Sequence, residues 1–174
     1  MMTRAGFLLF LACLDVPAQA LPDQWVGDRE VWKLERGVLT GTSDGKSDSA
    51  WVFSGGELGD FELRFDLRVK RGTGRLQMRG VGRGPLGIGL EFGATDVRWL
   101  ANGSLFVADS SAKPGEWYAY RIVCKGSEFE MFRNEVSAAY KIVAGHVAPR
   151  GTLSLILPAG ARSEIEVRNI RLKE

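Results

Sequence analysis

Apolar and polar residues alternate with a period of two along most of this chain. In Phe61-Glu62-Leu63-Arg64-Phe65-Asp66-Leu67-Arg68-Val69 every odd position is apolar and every even one charged. That pattern is a β-strand with one buried and one wet face. Its outer row, Glu62, Arg64, Asp66 and Arg68, alternates in sign and suits solvent. Similar patterning predicts strands at residues 31–35, 38–42, 50–53, 75–81, 87–92, 97–100, 104–108, 117–125, 129–134, 138–143, 152–157 and 164–172. Turn residues punctuate them, among them Gly55-Gly56, Arg71-Gly72-Thr73-Gly74, Asn102-Gly103 and Lys113-Pro114-Gly115. Asn102-Gly103 is the strongest hairpin signal, because both residues tolerate positive φ. No long segment shows a 3.6-residue period, and no linker or internal repeat divides the chain. Many short strands with frequent turns predict one all-β domain, an antiparallel β-sandwich.

Composition sharpens this picture. Of 174 residues, 22 are glycine, nearly twice the usual share of about 7%. Glycine weakens helices and serves turns and bulges, so the surplus argues against a helical bundle. Lys and Arg number 23 against 21 Asp and Glu, with the signs interspersed. No basic run offers a track for phosphates, which excludes a nucleic-acid partner.

The N-terminus reads as an export leader over residues 1–20. Arg4 supplies the positive flank, residues 7–14 form an apolar run, Pro17 breaks it, and Ala18-Gln19-Ala20 forms a cleavage signature. The run is far shorter than the roughly 20 residues a bilayer span needs, so no stable membrane insertion is expected. Phe10-Leu11-Ala12-Cys13 has the outline of a lipoprotein box, but Phe10 suits its first position poorly. The leader is therefore expected to be cleaved after Ala20. It leaves residues 21–174 as a single secreted or periplasmic domain with Cys124 its only thiol, and so without an internal disulfide. Cys124 lies in an apolar stretch and reads as a buried small hydrophobe.

Four strings, in order, resemble the 3-keto-disaccharide hydrolase family. They are Trp32-Lys33-Leu34-Glu35-Arg36-Gly37-Val38-Leu39, Gly59-Asp60-Phe61-Glu62-Leu63-Arg64-Phe65-Asp66, Gly115-Glu116-Trp117 and the closing Val167-Arg168-Asn169-Ile170-Arg171-Leu172-Lys173-Glu174. The resemblance implies a concanavalin A-like jelly roll, a secreted carbohydrate-active role and a carbohydrate or glycoside ligand. It also implies cleavage of 3-keto-glycosides. The ketone acidifies the C2 proton, a base removes it, the C1 substituent leaves, and water adds back. Such chemistry needs a base and an enolate stabiliser, and is compatible with a divalent metal acting as Lewis acid. The chain also departs from the family pattern. The Asn-Ser pair expected before Gly74 is missing, the later His and Gly give way to Met131 and Glu135 around a retained Asn134, and a tyrosine position holds Phe106.

The candidate site rests on alternation and hairpin geometry. Arg75, Gln77 and Arg79 fall on one face of their strand, and Glu91 shares a face with Gly87 and Gly89. A hairpin connected through residues 81–87 puts Gln77 opposite Glu91 and Arg79 one step along, with paired Cβ atoms about 5 Å apart. On this reading Glu91 is the base or a sugar-hydroxyl acceptor, and Arg79 stabilises the enolate or donates to a hydroxyl. Gln77, Asn134 and an exposed Trp99 complete the substrate contacts. A salt-bridged solvent face and a non-catalytic sugar-binding module on the same scaffold both stay open. Trp117 reads as core. The pairs Glu128/Glu130 and Glu164/Glu166 read as solvated faces, and His146 as a loop residue.

Overall fold

Strand Phe61–Arg71 realises its alternation: Phe61, Leu63, Phe65, Leu67 and Val69 are buried, while the residues between them face outward. The computed structural model describes residues 19–20, 24–80, 88–101, 104–137, 142–143 and 147–174. The leader's apolar run with Cys13, the Asn102-Gly103 turn, His146 and Gly87 lie outside the described residues.

Two antiparallel sheets make the sandwich. Sheet A runs β13 (Val136–Ser137), β12 (Glu128–Arg133), β11 (Tyr118–Lys125), β6 (Phe61–Arg71), β16 (Ser163–Lys173), β4 (Val38–Ser43), β3 (Trp32–Glu35). Off this path, β1 (Gln19–Ala20) pairs with β16 and β14 (Ile142–Val143) with β12. Sheet B runs β10 (Ser104–Asp109), β9 (Val97–Ala101), β8 (Ile88–Gly93), β7 (Thr73–Gly80), β15 (Thr152–Leu157), β5 (Ser49–Phe53), β2 (Trp25–Gly27). The all-β sandwich expected from the sequence is what forms, and the short strands β1, β2 and β13 are additions to it. Sequence-neighbouring β4 and β5 lie in different sheets, as do β10 and β11, which is the crossing pattern of a jelly roll.

The inner faces interlock across the layers. Phe65, Phe92 and Tyr120 form an aromatic cluster with centroids 5.0–5.9 Å apart, tying β6 and β11 of sheet A to β8 of sheet B. Burial pushes the Tyr120 hydroxyl well above its ordinary range. Cys124 is buried beside Met78, its Sγ 3.7 Å from the thioether, and burial pushes its thiol up to about 12. It is therefore the inert hydrophobe the sequence suggested.

Trp117 departs from expectation. It is half-buried just before β11, with the guanidinium carbons of Arg68 and Arg168 4.6 and 4.1 Å from its ring centroid. Alternation could not foresee this, because two arginines cover a ring as effectively as core side chains do.

The outer face of sheet A is a charge lattice. Glu166 is only 8% exposed and accepts hydrogen bonds from the Arg68 guanidinium, with Lys70 Nζ 2.6 Å from its Oε1. Burial alone would raise its pKa, but hydrogen bonds from Lys70 and Arg68 outweigh that and hold it below the usual 4.5. A carboxylate with a lowered folded pKa contributes stability that is present above its unfolded value and lost as pH falls through the folded one. Glu166→Gln should therefore cost about 2 kcal/mol at neutral pH and progressively less below about pH 4.5. Thermal midpoints of the two proteins, measured down to about pH 3, should converge.

Candidate functional site

The outer face of sheet B carries the site, and alternation decides which residues reach it. On β7, Leu76 and Met78 are buried in the core, so Arg75 and Gln77 project outward. On β8, Leu90 and Phe92 fill the core and Gly89, Glu91 and Gly93 face out. On β9, Val97, Trp99 and Ala101 point in, leaving Arg98 and Leu100 outside.

The β7–β8 ladder pairs Arg75 with Glu91 and Gln77 with Gly89. This corrects the expected register by two residues: Arg75, not Gln77, stands opposite Glu91. A two-residue slip keeps every side chain on its face, so binary patterning cannot detect it. The core layers Leu76↔Leu90 and Met78↔Ile88 accompany the observed register. On the other flank Glu91 pairs with Arg98. The result is a straight row of Arg75, Glu91 and Arg98 across three strands.

Glu91 is 9% exposed, and Arg75 Nη2 donates to its Oε2 at 3.0 Å. Arg98 Nη1 lies 3.9 Å from Oε1, while its Nε donates to Asp96 Oδ2 at 2.8 Å. The Asp96 carboxylate, with a smaller contribution from Glu91, raises the Arg98 pKa further above its usual value. Gly93 makes room for this arrangement, since a Cβ there would stand 2.3 Å from Asp96 Oδ1. The site is thus an anionic oxygen pair held between two guanidinium groups on a rigid strand floor. It can accept a proton or a hydroxyl hydrogen bond at Glu91 and offer N–H donors from either side.

Arg79 is not part of this row. The β15 ladder pairs Thr152 with Gly80 but Ser154 with Gln77, so a bulge interrupts β7 at its end. Arg79 takes φ of +50° there, and its side chain, 2% exposed, turns inward toward sheet A. Its Nε and Nη2 donate to Gly59 O at 3.0 and 2.8 Å, Nη2 also donates to Asp60 Oδ1 at 3.0 Å, and Nη1 donates to Gly126 O. The expected adjacency to Glu91 fails because a bulge reverses the alternation on which it was based.

Trp99 is fully buried in the core, not an exposed stacking platform. Asn134 sits in the β12–β13 turn at the edge of sheet A, with φ of +50°. Its Oδ1 accepts from Ala119 N at 3.0 Å, and its own N–H donates to Ala119 O at 2.8 Å. Of the five expected site residues, Glu91 and Gln77 share the sheet B face, and Arg79, Trp99 and Asn134 do not. Arg75 and Arg98 join them there. The alternation of β7 already exposed Arg75; only the three-strand register brings in Arg98. Among the described residues, no three His, Cys, Asp or Glu side chains are grouped so as to hold a metal ion.

Residues 18–173 match the family model of the 3-keto-alpha-glucoside-1,2-lyase-like domain. No curated protein matches the chain in sequence. Among solved structures, the chain is similar to the carbohydrate-binding module CBM66 from Bacillus subtilis, at 18% identity and a TM-score of 0.68, covering 87% of this chain and 96% of that one. A putative glycosyl hydrolase from Parabacteroides distasonis gives 17% identity and 0.68, covering 87% and 93%. A prokaryotic β-1,3-1,4-glucanase (lichenase) derived from a mouse hindgut metagenome gives 12% and 0.62, covering 82% of each chain. At these identities the likeness is one of fold.

Proposed function

Because the chain belongs to the 3-keto-alpha-glucoside-1,2-lyase-like domain family, we propose that it is a carbohydrate-active domain that binds its glycoside on the outer face of sheet B. There Glu91 serves as the base of a 3-keto-glycoside elimination. The observation that carries this reading is the Arg75–Glu91–Arg98 row, an oriented carboxylate between two cationic donors. With a C3 ketone in the sugar, Glu91 takes the C2 proton and the C2–H electron pair becomes an enolate across C2 and C3. The enolate re-forms the ketone as the C1–O bond breaks, and the aglycone leaves with a proton. Water then adds across C1 and C2, so the net change is hydrolysis. Arg75 and Arg98 stand where their N–H groups can offset charge on the enolate oxygen. Gln77, two pairs along the ladder and on the same face, contributes a sugar-hydroxyl contact.

A second reading is a sugar-binding module without turnover. The observation favouring it is that Arg79, Trp99 and Asn134 are committed to packing and turn formation, not to this face. One assay separates the two. The protein is incubated with a 3-keto-glucoside and with its unoxidised parent, and free aglycone is followed. Release from the keto form alone supports elimination, because only the ketone acidifies C2. Binding to both forms without release supports the module.

Export through the leader at residues 1–20 puts this chemistry outside the cytoplasm. Cleavage after Ala20 removes β1, the pair on Arg171 and Leu172, and leaves β16 flanked by β4 and β6. N-terminal sequencing of the exported protein should begin at Leu21; a start at any other residue would reject that cleavage site.

A further inference from the structure

The row through Glu91 does not end at Arg98. β10 pairs with β9 so that Val107 stands opposite Arg98 and Leu105 opposite Leu100, and Leu100 stands opposite Gly89. Directly paired residues project from the same face, so all three aliphatic side chains share the face of Glu91. Leu105 and Val107 are 44% and 57% exposed, while Leu100, paired with Leu105, is buried. Gly89 adds no side chain to cover this floor; a Cβ there would stand 3.6 Å from that of Leu100. The face therefore divides at β8. Hydrogen-bonding groups, Arg75 and Gln77, occupy β7, and beyond Arg98 lies a hydrocarbon shelf. β10 is two strand spacings, about 9–10 Å, from β8, a reach that suits the group attached to C1 of a sugar held at Glu91.

Resting on the reading above, we propose that this site takes glycosides whose C1 substituent is an apolar alcohol, aromatic or alkyl, and not a second sugar. Leu100, Leu105 and Val107 form the shelf for that aglycone. A second sugar would meet no donor or acceptor on these three side chains and would lose water without replacement. A hydrocarbon ring gains from the same burial.

The test measures binding in the Glu91→Gln background, where the ligand is not consumed. Calorimetry compares phenyl and methyl 3-keto-glucosides, both anomers, on that protein and on one that also carries Leu105→Asn and Val107→Asn. Leu105 and Val107 are the exposed members of the shelf, so these substitutions leave the core intact. The phenyl ligand should bind about tenfold tighter than the methyl one, an advantage that falls to twofold or less with the shelf substituted, while methyl binding stays level. Equal affinities at the outset, or an advantage that survives the substitutions, overturns the proposal. So does an apolar edge that serves a second copy instead: a dimer by light scattering that the two substitutions split, with no phenyl advantage. Failure of aglycone release with the phenyl advantage intact would sink the elimination and leave the shelf. Release without that advantage would do the reverse.

Discussion

Replacing Arg79 by methionine should lower the unfolding free energy by about 3 kcal/mol, the cost of taking a buried guanidinium away from the groups it donates to. The guanidinium donates to Gly59 O, Gly126 O and Asp60 Oδ1, and so joins the segment before β6 to the β11–β12 turn. Asp60 Oδ1 also accepts from Gly126 N at 2.8 Å, which makes the three a closed network. Phe129 lies beneath, its ring centroid 5.2 Å from the Arg79 guanidinium carbon. Methionine fills the volume but donates nothing, stranding the buried Gly59 carbonyl, while Gly126 O and the exposed Asp60 carboxylate turn to water. In a domain of this size the thermal midpoint should drop by about 10 °C. Arg79→Lys should recover only part of it, since one ammonium cannot reproduce a planar fork reaching three acceptors. The opposite pattern, a retained midpoint with aglycone release abolished, would return Arg79 to the reaction and overturn the structural role.

Glu91→Gln should reduce aglycone release from a 3-keto-glucoside by about 10²–10⁴-fold, the usual worth of a positioned general base. The amide keeps the shape of the side chain and an oxygen for Arg75 Nη2, so the row remains occupied. It cannot take the C2 proton. Arg98 keeps its bond to Asp96 and both arginines retain access to water, which confines the stability change to about 1–2 kcal/mol. Ligand affinity should move only a few-fold, so the loss falls on kcat. Unchanged release would remove Glu91 from the chemistry; unchanged binding with no release in either protein would leave the sugar-binding module.

Much of the fold was legible in the chain because burial in a sandwich imposes a period of two. β6 shows this at its plainest, with five core residues and a charged outer row. The candidate site was legible in part. Glu91 and Gln77 were found on the correct face because alternation fixes faces. Trp99 illustrates the limit of reading one residue by its neighbouring turn. On β9 it alternates with Arg98 and shares its face with Val97 and Ala101, and that inward face decides its burial. Asn134 kept a family position, yet its side chain is used in accepting from Ala119 N on β11.

By itself the sequence determined the all-β class, the strands that build both layers, and the side of sheet B on which Glu91 lies. Each of these follows from which residues avoid water, a property read locally. The tertiary structure alone decided that Arg75 and Arg98, not Arg79, flank the carboxylate. Register slips by two without changing any face, and one bulged residue at positive φ sends a side chain to the opposite layer. Both are settled by packing between strands far apart in the chain, where local patterning carries no information.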